Sequence, residues 1–448
     1  MKSLKITFVL LTLLLMQVVA FSQERGKITR ERDDYIETID KTYKVKKGGT
    51  LYLSSDQGPI DVDTWSEDKV RIVVIKRADV RNESRAEEIF DEIEVTISKS
   101  GKDVTVKGRI PWRRSRSRGR RGYHALSYEI TVPYKYNVDL ETDGGSIRIA
   151  DLEGNLSVDT EGGSIKVGQI KNGDVKVETA GGSIKIKEII NGNVIANTAG
   201  GKIEVGDVSG DLEVKTSGGS IELGEITGKA NARTSGGSIK IEGGGTDLEA
   251  ATSGGSISVN YANGPVDVST SGGSIYIGDT KGDIDASTAG GSIRIGESGG
   301  GVIANTAGGS IGVEGSQGPI IVATAGGSIE ITNARGFIEA KTAGGDIEAE
   351  LVISDKKTDT HVTLETAGGD ITVYLPSKLA ATFDVELEIT RRAWRDYKIY
   401  SDFPLRISDD DGGWRNNKII IAEGDINGGG DKIIIRTKNG DIRIKKIR

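Results

Sequence analysis

The sequence predicts an all-β protein built as a β-solenoid, a single-chain parallel β-helix with two short strands per rung. Three observations predict it: a unit of about 18 residues recurs, apolar residues alternate with polar ones inside each unit, and paired glycines punctuate the chain. Repeats of this length indicate a solenoid or an array. Glycine is abundant, at 63 of 448 residues, but has no collagen-like period of three.

The repeat is marked by a threonine that is followed, after one residue, by two glycines. The marker threonines are Thr142, Thr160, Thr179, Thr198, Thr216, Thr234, Thr252, Thr270, Thr288, Thr306, Thr324, Thr342 and Thr366. An isoleucine follows each marker threonine by five residues. Apolar residues lie two and four positions before the marker threonine, and such steps of two are typical of a β-strand. Stacked rungs would align these isoleucines in a buried structural ladder, which includes Ile184, Ile203, Ile221, Ile239, Ile257, Ile275 and Ile293.

The paired glycines predict the turns between the two strands of a rung, because tight turns need positive φ or close backbone approach. Representative turn glycines are Gly181, Gly182, Gly218, Gly219, Gly254 and Gly255. A β-propeller needs a period of about 40 residues. A meander barrel would leave a thin lumen without filling. The solenoid is therefore preferred, right-handed by default for parallel crossovers.

The chain divides into four predicted segments. Residues 1–22 have a basic start, an apolar stretch and small residues near a cleavage site, which are typical of a secretory signal peptide. Residues 23–136 form an N-terminal β-rich capping region with one short helix, predicted at Arg85–Ile93 and capped by Ser84. The solenoid occupies residues 137–375, and residues 376–448 form a C-terminal β capping region. The mature chain is expected to be exported without a transmembrane span, to the periplasm, the cell surface or the medium.

Several short motifs resemble a known family. They are Val45-Lys-Lys-Gly-Gly-Thr-Leu-Tyr-Leu53, Gly58-Pro-Ile-Asp-Val-Asp-Thr-Trp65, Val70-Arg-Ile72, Ile130-Thr-Val-Pro133 leading into Gly-Gly-Ser-Ile units, and Thr437-Lys-Asn-Gly-Asp-Ile442. With these motifs the chain is similar to the bacterial extracytoplasmic adhesin-like domains of unknown function. The resemblance covers nearly the whole mature chain and implies a single-chain β-helix. It implies no catalytic or binding residue.

Composition and pattern disfavour most catalytic and metal chemistry. The chain has no cysteine and only two histidines, which excludes disulfides and thiolate metal sites. A calcium β-roll would need an acid after each glycine pair, and acids stand there only as Asp346 and Asp370. Rungs of 18 residues leave no long loops to wall a polysaccharide-cleaving cleft. The marker threonines share the parity of the apolar residues, so they should point inward rather than form an ice-binding row. We expect no enzyme activity and no cofactor.

An arginine-rich run interrupts the N-terminal region of this otherwise acidic chain, whose net charge is −7. The run holds Arg113, Arg114, Arg116, Arg118, Arg120 and Arg121. One interpretation is a solvated charged loop. The other is a contact with polyanions, since guanidinium groups pair with phosphate, sulfate and carboxylate. The expected partners are an acidic surface polysaccharide, lipopolysaccharide or a matrix protein, and no nucleic acid.

The outward residues of the repeat carry mixed charge and are most simply a solvated face. They include Arg148, Lys166, Lys185, Glu204, Glu222, Lys240, Tyr276 and Arg294. Two functions therefore stay open. The preferred one is a non-catalytic exported binding or adhesion module, with the arginine run or Trp394–Tyr400 as a contact patch. The alternative is a structural protein that organises the cell envelope without a specific ligand, for example through end-to-end assembly.

Overall fold

In the computed structural model the described residues are 24–32, 34–110, 124–353, 357–393, 395–410 and 417–447. They form two long sheets, A and B, that face each other across a narrow apolar core. The solenoid is thus a flattened rod, and the predicted all-β fold class is confirmed. The proposed signal residues 1–22 lie outside the described ranges. None of the described helical residues makes a helix long and apolar enough to cross a membrane.

The N-terminal region supplies eight strands and one helix. They are β1 (Lys27–Glu31), β2 (Asp34–Lys44), β3 (Thr50–Ser55), β4 (Ile60–Trp65), β5 (Lys69–Asp79), α1 (Glu83–Glu92), β6 (Glu94–Ser100), β7 (Asp103–Arg109) and β8 (His124–Pro133). The helix begins earlier than the sequence analysis predicted. Its N-cap is Asn82 rather than Ser84, because the Asn82 side chain accepts the Arg85 N–H at 2.9 Å.

The thirteen repeats supply the middle of the rod, and we number them rungs 1 to 13 from Thr142 to Thr366. Their sheet B strands end at the marker threonines, except that β20 ends one residue before its marker. They are β9 (Asn137–Thr142), β12 (Leu156–Thr160), β14 (Val175–Thr179), β16 (Val194–Thr198), β18 (Leu212–Thr216), β20 (Lys229–Arg233), β22 (Asp247–Thr252), β24 (Val266–Thr270), β26 (Ile284–Thr288), β28 (Val302–Thr306), β30 (Ile320–Thr324), β32 (Ile338–Thr342) and β34 (Val362–Thr366).

The sheet A strands of the repeats begin at the isoleucine that lies five residues after each marker threonine. They are β10 (Ile147–Ile149) with β11 (Leu152–Glu153), β13 (Ile165–Lys171), β15 (Ile184–Ile190), β17 (Ile203–Val208), β19 (Ile221–Glu225), β21 (Ile239–Gly244), β23 (Ile257–Ala262), β25 (Ile275–Thr280), β27 (Ile293–Ser298), β29 (Ile311–Ser316), β31 (Ile329–Ala334), β33 (Ile347–Leu351) and β35 (Ile371–Pro376).

Neighbouring rungs pair in parallel and in register, so that like positions form columns along the rod. For example, Ile184 pairs with Ile203 in sheet A, and Thr179 pairs with Thr198 in sheet B. Every isoleucine five residues after a marker is at most 1% exposed. Complete burial of one such side chain stabilises the fold by about 2 kcal/mol. The columns of aliphatic side chains are therefore the continuous core of the rod.

The C-terminal region adds six strands: β36 (Ala381–Ile389), β37 (Ile399–Ser401), β38 (Arg406–Asp410), β39 (Lys418–Ile426), β40 (Asp431–Lys438) and β41 (Ile442–Ile447). Strands β40 and β41 form a rung beside rung 13, and β36 and β37 form the rung beyond it. The last strands in the chain thus lie between two rungs that precede them in the sequence. The predicted C-terminal capping region contains true rungs.

The N-terminal end is built by the same rule. Strands β3 and β4 form a rung beside rung 1, and β7 and β8 form the rung beyond it. Past these rungs the pairing becomes antiparallel, through β5, β2 and β1 in sheet A and β6 in sheet B. At the C-terminal end, sheet B also finishes with antiparallel β39 and β38. Antiparallel outer strands end the parallel stacking at three of the four sheet edges.

Candidate polyanion-binding surface

The outer face of sheet A, which we call face A, carries a run of cations over its first three rungs. Arg148, Lys166 and Lys185 occupy the same outward position of rungs 1, 2 and 3, and Lys187 lies two residues further along rung 3. All four side chains are exposed. We call them the cationic column. Because parallel strands lie about 4.8 Å apart, a cation is presented at each successive rung.

Two members of the cationic column are partly neutralised by neighbours. Arg148 contacts Asp61 and Asp63, with 3.0 Å between its Nη2 and the Asp63 carboxylate. The hydrogen bond to Asp61 raises the pKa of Arg148 and keeps it charged. Lys185 donates to Glu204, and this hydrogen bond lowers the pKa of the Glu204 carboxyl. Both cations therefore stay charged but share their field with an acid.

Lys166 and Lys187 differ from these two, because neither forms an ion pair with any described residue. They line an open depression of about 490 Å³ together with Arg148, Lys185 and backbone of rungs 1 to 3. Ammonium groups without a carboxylate partner can bind a carboxylate, sulfate or phosphate at little desolvation cost. The depression is therefore suited to an anionic polymer lying along the rod.

The six arginines predicted as a polyanion contact, Arg113 to Arg121, lie outside the described residues. Their position in the chain is nevertheless informative, since they connect β7 to β8. In the neighbouring rungs, that connection is the short turn on the glycine-pair side, because Gly108 pairs with Ser55 and Ser55 with Thr142. The strands that flank the run, β7 and β8, belong to the rung beyond β3–β4, three rungs before Lys166.

The predicted ladder isoleucines occupy one column of the core. Ile184, Ile203, Ile221, Ile239, Ile257, Ile275 and Ile293 pair successively in sheet A. They are structural, and none reaches the surface.

The paired turn glycines are not equivalent. A Cβ on the second glycine would lie 2.0 Å from the Gly163 carbonyl oxygen at Gly182, 1.9 Å from that of Gly201 at Gly219, and 2.2 Å from that of Gly237 at Gly255. A Cβ on the first glycine, at Gly181, Gly218 or Gly254, would have 3.1 Å or more to its nearest atom. None of the six has a positive φ. Close approach of successive rungs, rather than backbone conformation, therefore requires the second glycine.

The marker threonines point inward, as predicted from their parity. Thr179 is 5% exposed and donates to the Gly163 carbonyl of the preceding rung at 2.8 Å, while it accepts the Gly182 N–H of its own rung. The same pair of bonds recurs along the rod, for example at Thr234. The hydroxyls are thus used to stitch rungs together at the turn, and they form no exposed lattice of the kind that binds ice.

The other residues noted in the sequence are used locally. Tyr400 is 51% exposed beside Arg443, whereas Trp394 lies outside the described residues. His361 contacts Asp359 at 2.8 Å and stacks on Phe337 with 4.3 Å between ring centroids. The Asp346 carboxylate accepts the Asp370 N–H, 2.8 Å away. Among the described residues no group of three histidine or acidic side chains could hold a metal ion.

Sequence reasoning named Arg148, Lys166 and Lys185 as outward residues but interpreted the face as a solvated face of mixed charge. It overlooked that the first three rungs carry one sign, and it did not consider Lys187. Comparing the charge at this one repeat position from rung to rung would have revealed the cationic column.

Comparisons with known proteins identify a family. The family described as Toastrack DUF4097 matches residues 51–296 and 242–391. A search of curated proteins found no match. Two solved structures are similar: a candidate cell adhesion protein from Clostridium sporogenes ATCC 15579 (11% identity, 92% of this chain and 100% of that one, TM-score 0.15) and a candidate adhesin from Bacteroides fragilis NCTC 9343 (19% identity, 58% and 97%, TM-score 0.24). At these scores neither indicates what this chain binds.

Proposed function

The chain belongs to the Toastrack DUF4097 family, and we propose that it is an exported, non-catalytic binding module whose rod holds acidic polysaccharides at the cell surface. The observation that carries the proposal is the cationic column with its two unpaired lysines, Lys166 and Lys187, in an otherwise acidic protein. Local positive potential in an acidic chain favours selective attraction of polyanions at that place.

The fold suits a module that displays a surface. Its rungs are tied by parallel ladders and by the threonine bonds, so the spacing of the cations is fixed before a ligand arrives. A preorganised surface loses less conformational entropy on binding than a flexible one. The arginine run, Arg113 to Arg121, would add a second set of cations on the same end of the rod, and lipopolysaccharide phosphates are the next class of ligand in this proposal.

The alternative, a structural protein stacked end to end, finds less support at the ends of the rod. The outer sheet B strand β38 has five exposed residues, Arg406–Asp410, with two acids. The outer sheet A strand β1 has the charged sequence KITRE. Charged edge strands are a common means of preventing further strand addition.

Binding of polygalacturonate, a polymer with one carboxylate per sugar, tests the proposal. We expect the Lys166→Gln/Lys187→Gln variant to bind roughly tenfold more weakly than the parent at low salt, about 0.7 kcal/mol per lysine. The matched control is Lys215→Gln/Lys281→Gln, which removes two exposed lysines elsewhere. A variant with all six arginines of the run changed to serine separates the two cation sets. Equal affinity of all variants, or binding that ignores salt, would contradict the proposal.

A further inference from the structure

The outer face of sheet B, which we call face B, carries a run of acids over three of its rungs. Glu249, Asp267 and Asp285 occupy one outward position of rungs 7, 8 and 9 and pair in register. Like charges directly opposite each other on neighbouring strands are destabilising. Asp267 forms no ion pair with any described residue. The rod therefore keeps a run of three acids on one face and a run of three cations on the other.

The charges of the two runs have the same spacing, because each run places one charge on each successive rung. Suppose that face A of one copy lies antiparallel on face B of another, with rung 2 opposite rung 8. All rungs that face each other then have numbers that add to ten. The contacts then place Arg148 opposite Asp285, Lys166 opposite Asp267, and Lys185 opposite Glu249. Lys166 and Asp267, neither of which forms an ion pair with a described residue of the single chain, meet at the centre of this run.

The match continues beyond the three central pairs. On rung 4 of face A, Glu204 meets Arg233 on rung 6 of face B. Because Lys185 binds Glu204 and Arg233 binds Glu249 at 2.8 Å, two ion pairs would lie head to tail across the contact. On rung 9 of face A, Arg294 meets rung 1 of face B.

Rung 1 of face B presents Asp139 and Glu141 to that arginine. On the rungs between, Glu222 faces the oppositely charged Glu213 and Lys215, and Lys240 faces the uncharged Ile195 and Asn197. Ser258 faces Lys176 and Glu178, whose charges cancel. Tyr276, which has no charge, faces Ser157 and the single acid Asp159. No rung brings two like net charges together. A parallel arrangement with the same central run also sets Asp61 and Asp63 opposite Arg233, and Arg294 opposite Asp384 and Glu386. It leaves Glu204 opposite the uncharged Ile303 and Asn305, whereas the antiparallel arrangement sets Glu204 opposite Arg233.

From this pattern we propose that the protein self-associates side by side, with face A of one copy docked antiparallel on face B of the next. The inference uses the cationic column but does not rest on polysaccharide binding. Because the two faces differ, each added copy leaves a free face, and the contact is heterologous and open-ended. Surface ion pairs are individually weak and screened by salt, so association should need low ionic strength and high protein concentration.

Charge reversal tests the docking. In sedimentation experiments at low salt, the average mass of the parent chain should rise at least about twofold with concentration, as expected for open assembly. Lys166→Glu and Asp267→Lys should each abolish the rise, and the chain that carries both reversals should recover it. Both residues, Lys166 and Asp267, are exposed, and thermal denaturation checks that each variant is folded.

The two single reversals also distinguish self-association from the proposed polysaccharide binding. Asp267→Lys should lose self-association while it keeps polygalacturonate binding, whereas Lys166→Glu should lose both. A monomeric parent at all concentrations, or a double reversal that stays monomeric while each single variant is folded, would overturn the proposal. Association of the parent that neither single reversal changes would do the same.

The orientation is tested by crosslinking, which is simple in a chain without cysteine. Ser258→Cys on rung 7 of face A and Lys176→Cys on rung 3 of face B lie on opposite faces of one rod, so they can meet only between copies. The antiparallel contact predicts an intermolecular disulfide for this pair. The matched pair Ser258→Cys/Thr363→Cys, on rung 13, should crosslink only in the parallel contact, and its preferential formation would refute the antiparallel assignment.

Discussion

The middle of the rod and its two ends use the same rung but differ in how rungs follow one another. In rungs 1 to 13, chain order equals spatial order and all contacts between rungs are parallel. At the ends, one rung is placed out of sequence order and antiparallel strands follow it. Among the described residues, buried charged side chains, namely Glu37, Lys76 and Asp441, also occur only at the ends. A repeat can extend a rod, but ending it requires sequence that departs from the repeat.

Removing one rung should therefore have opposite consequences in the two regions. Deletion of 431–448 takes away β40 and β41, which contact rung 13 on one side and β36 with β37 on the other. It also removes the buried Ile433, Ile435, Ile442 and Ile444. At about 2 kcal/mol each, the loss of about 8 kcal/mol is comparable with the whole stability of a typical domain. We expect an unfolded or aggregated chain in circular dichroism and size-exclusion chromatography.

The matched deletion lies in the middle. Deletion of 271–288 removes one full period of 18 residues and joins Thr270 to the Ala-Gly-Gly that follows Thr288, so that the marker is restored. The flanking rungs can pair as before, and we expect a folded rod with a nearly unchanged melting temperature. Equal damage from both deletions would mean that rung identity matters in the middle as well, and that the contrast between the regions is wrong.

The buried charges at the N-terminal end give the next largest effect. Lys76 is fully buried beneath α1, where its Nζ lies 2.8 Å from Glu37 and donates to the Phe90 carbonyl at 3.1 Å. Burial lowers the pKa of Lys76, which shows how poorly the site solvates a lone charge. Lys76→Met leaves the Glu37 carboxylate without its counterion and should cost about 3–5 kcal/mol in urea denaturation.

Two controls bound that result. Lys76→Met/Glu37→Leu removes both charges and should recover much of the lost free energy of unfolding. Lys69→Met breaks an exposed pair with Glu67 and should cost at most about 1 kcal/mol. A small effect of Lys76→Met alone would indicate that this end does not depend on the buried pair.

The turn glycines test the middle of the rod at atomic scale. Gly182→Ala would push a methyl group to within 2.0 Å of the Gly163 carbonyl oxygen, whereas Gly181→Ala meets nothing closer than 3.8 Å. We expect Gly182→Ala to lower the free energy of unfolding by about 1–3 kcal/mol or more, because backbone must move. The neighbouring Gly181→Ala should lie within about 0.5 kcal/mol of the parent. Equal costs at the two positions would contradict the close approach of rungs.

The same contrast explains what the sequence could predict. The period of 18 and the steps of two fix the columns of the middle, so the core isoleucines and inward threonines followed from the pattern alone. The ends depend on pairing between distant segments, which no local pattern contains. Gly58–Trp65 was recognised as a family motif, but nothing in the sequence indicated that its strand would lie between β8 and rung 1. The cationic column was visible residue by residue, and only the register with Asp61, Asp63 and Glu204 shows which of its charges remain unpaired.

In the middle of the rod, strict register can stack like charges on neighbouring rungs and so lower the free energy of unfolding. This destabilisation gives the smallest of the expected effects. At the C-terminal end Asp370 is paired with Arg443 at 3.0 Å, but Asp267 stacks between two acids. Partial burial, and then the charges of Asp285 and Glu249, raise the pKa of Asp267. The folded chain therefore holds more protons than the unfolded chain between the ordinary pKa of about 3.8 and the raised value, and stability falls as pH rises through that window.

Asp267→Asn should remove this penalty. We expect the variant to be more stable than the parent by about 0.3 kcal/mol at pH 7, a small gain because the site is exposed, and equally stable below the ordinary pKa of aspartate. Glu213→Gln is the control, since its register neighbours Ile195 and Asn231 are uncharged. Urea denaturation at both pH values measures the difference. A gain that persists at low pH, or that Glu213→Gln shares, would mean that the acids of face B do not repel one another, and that regular stacking of charges is tolerated without loss.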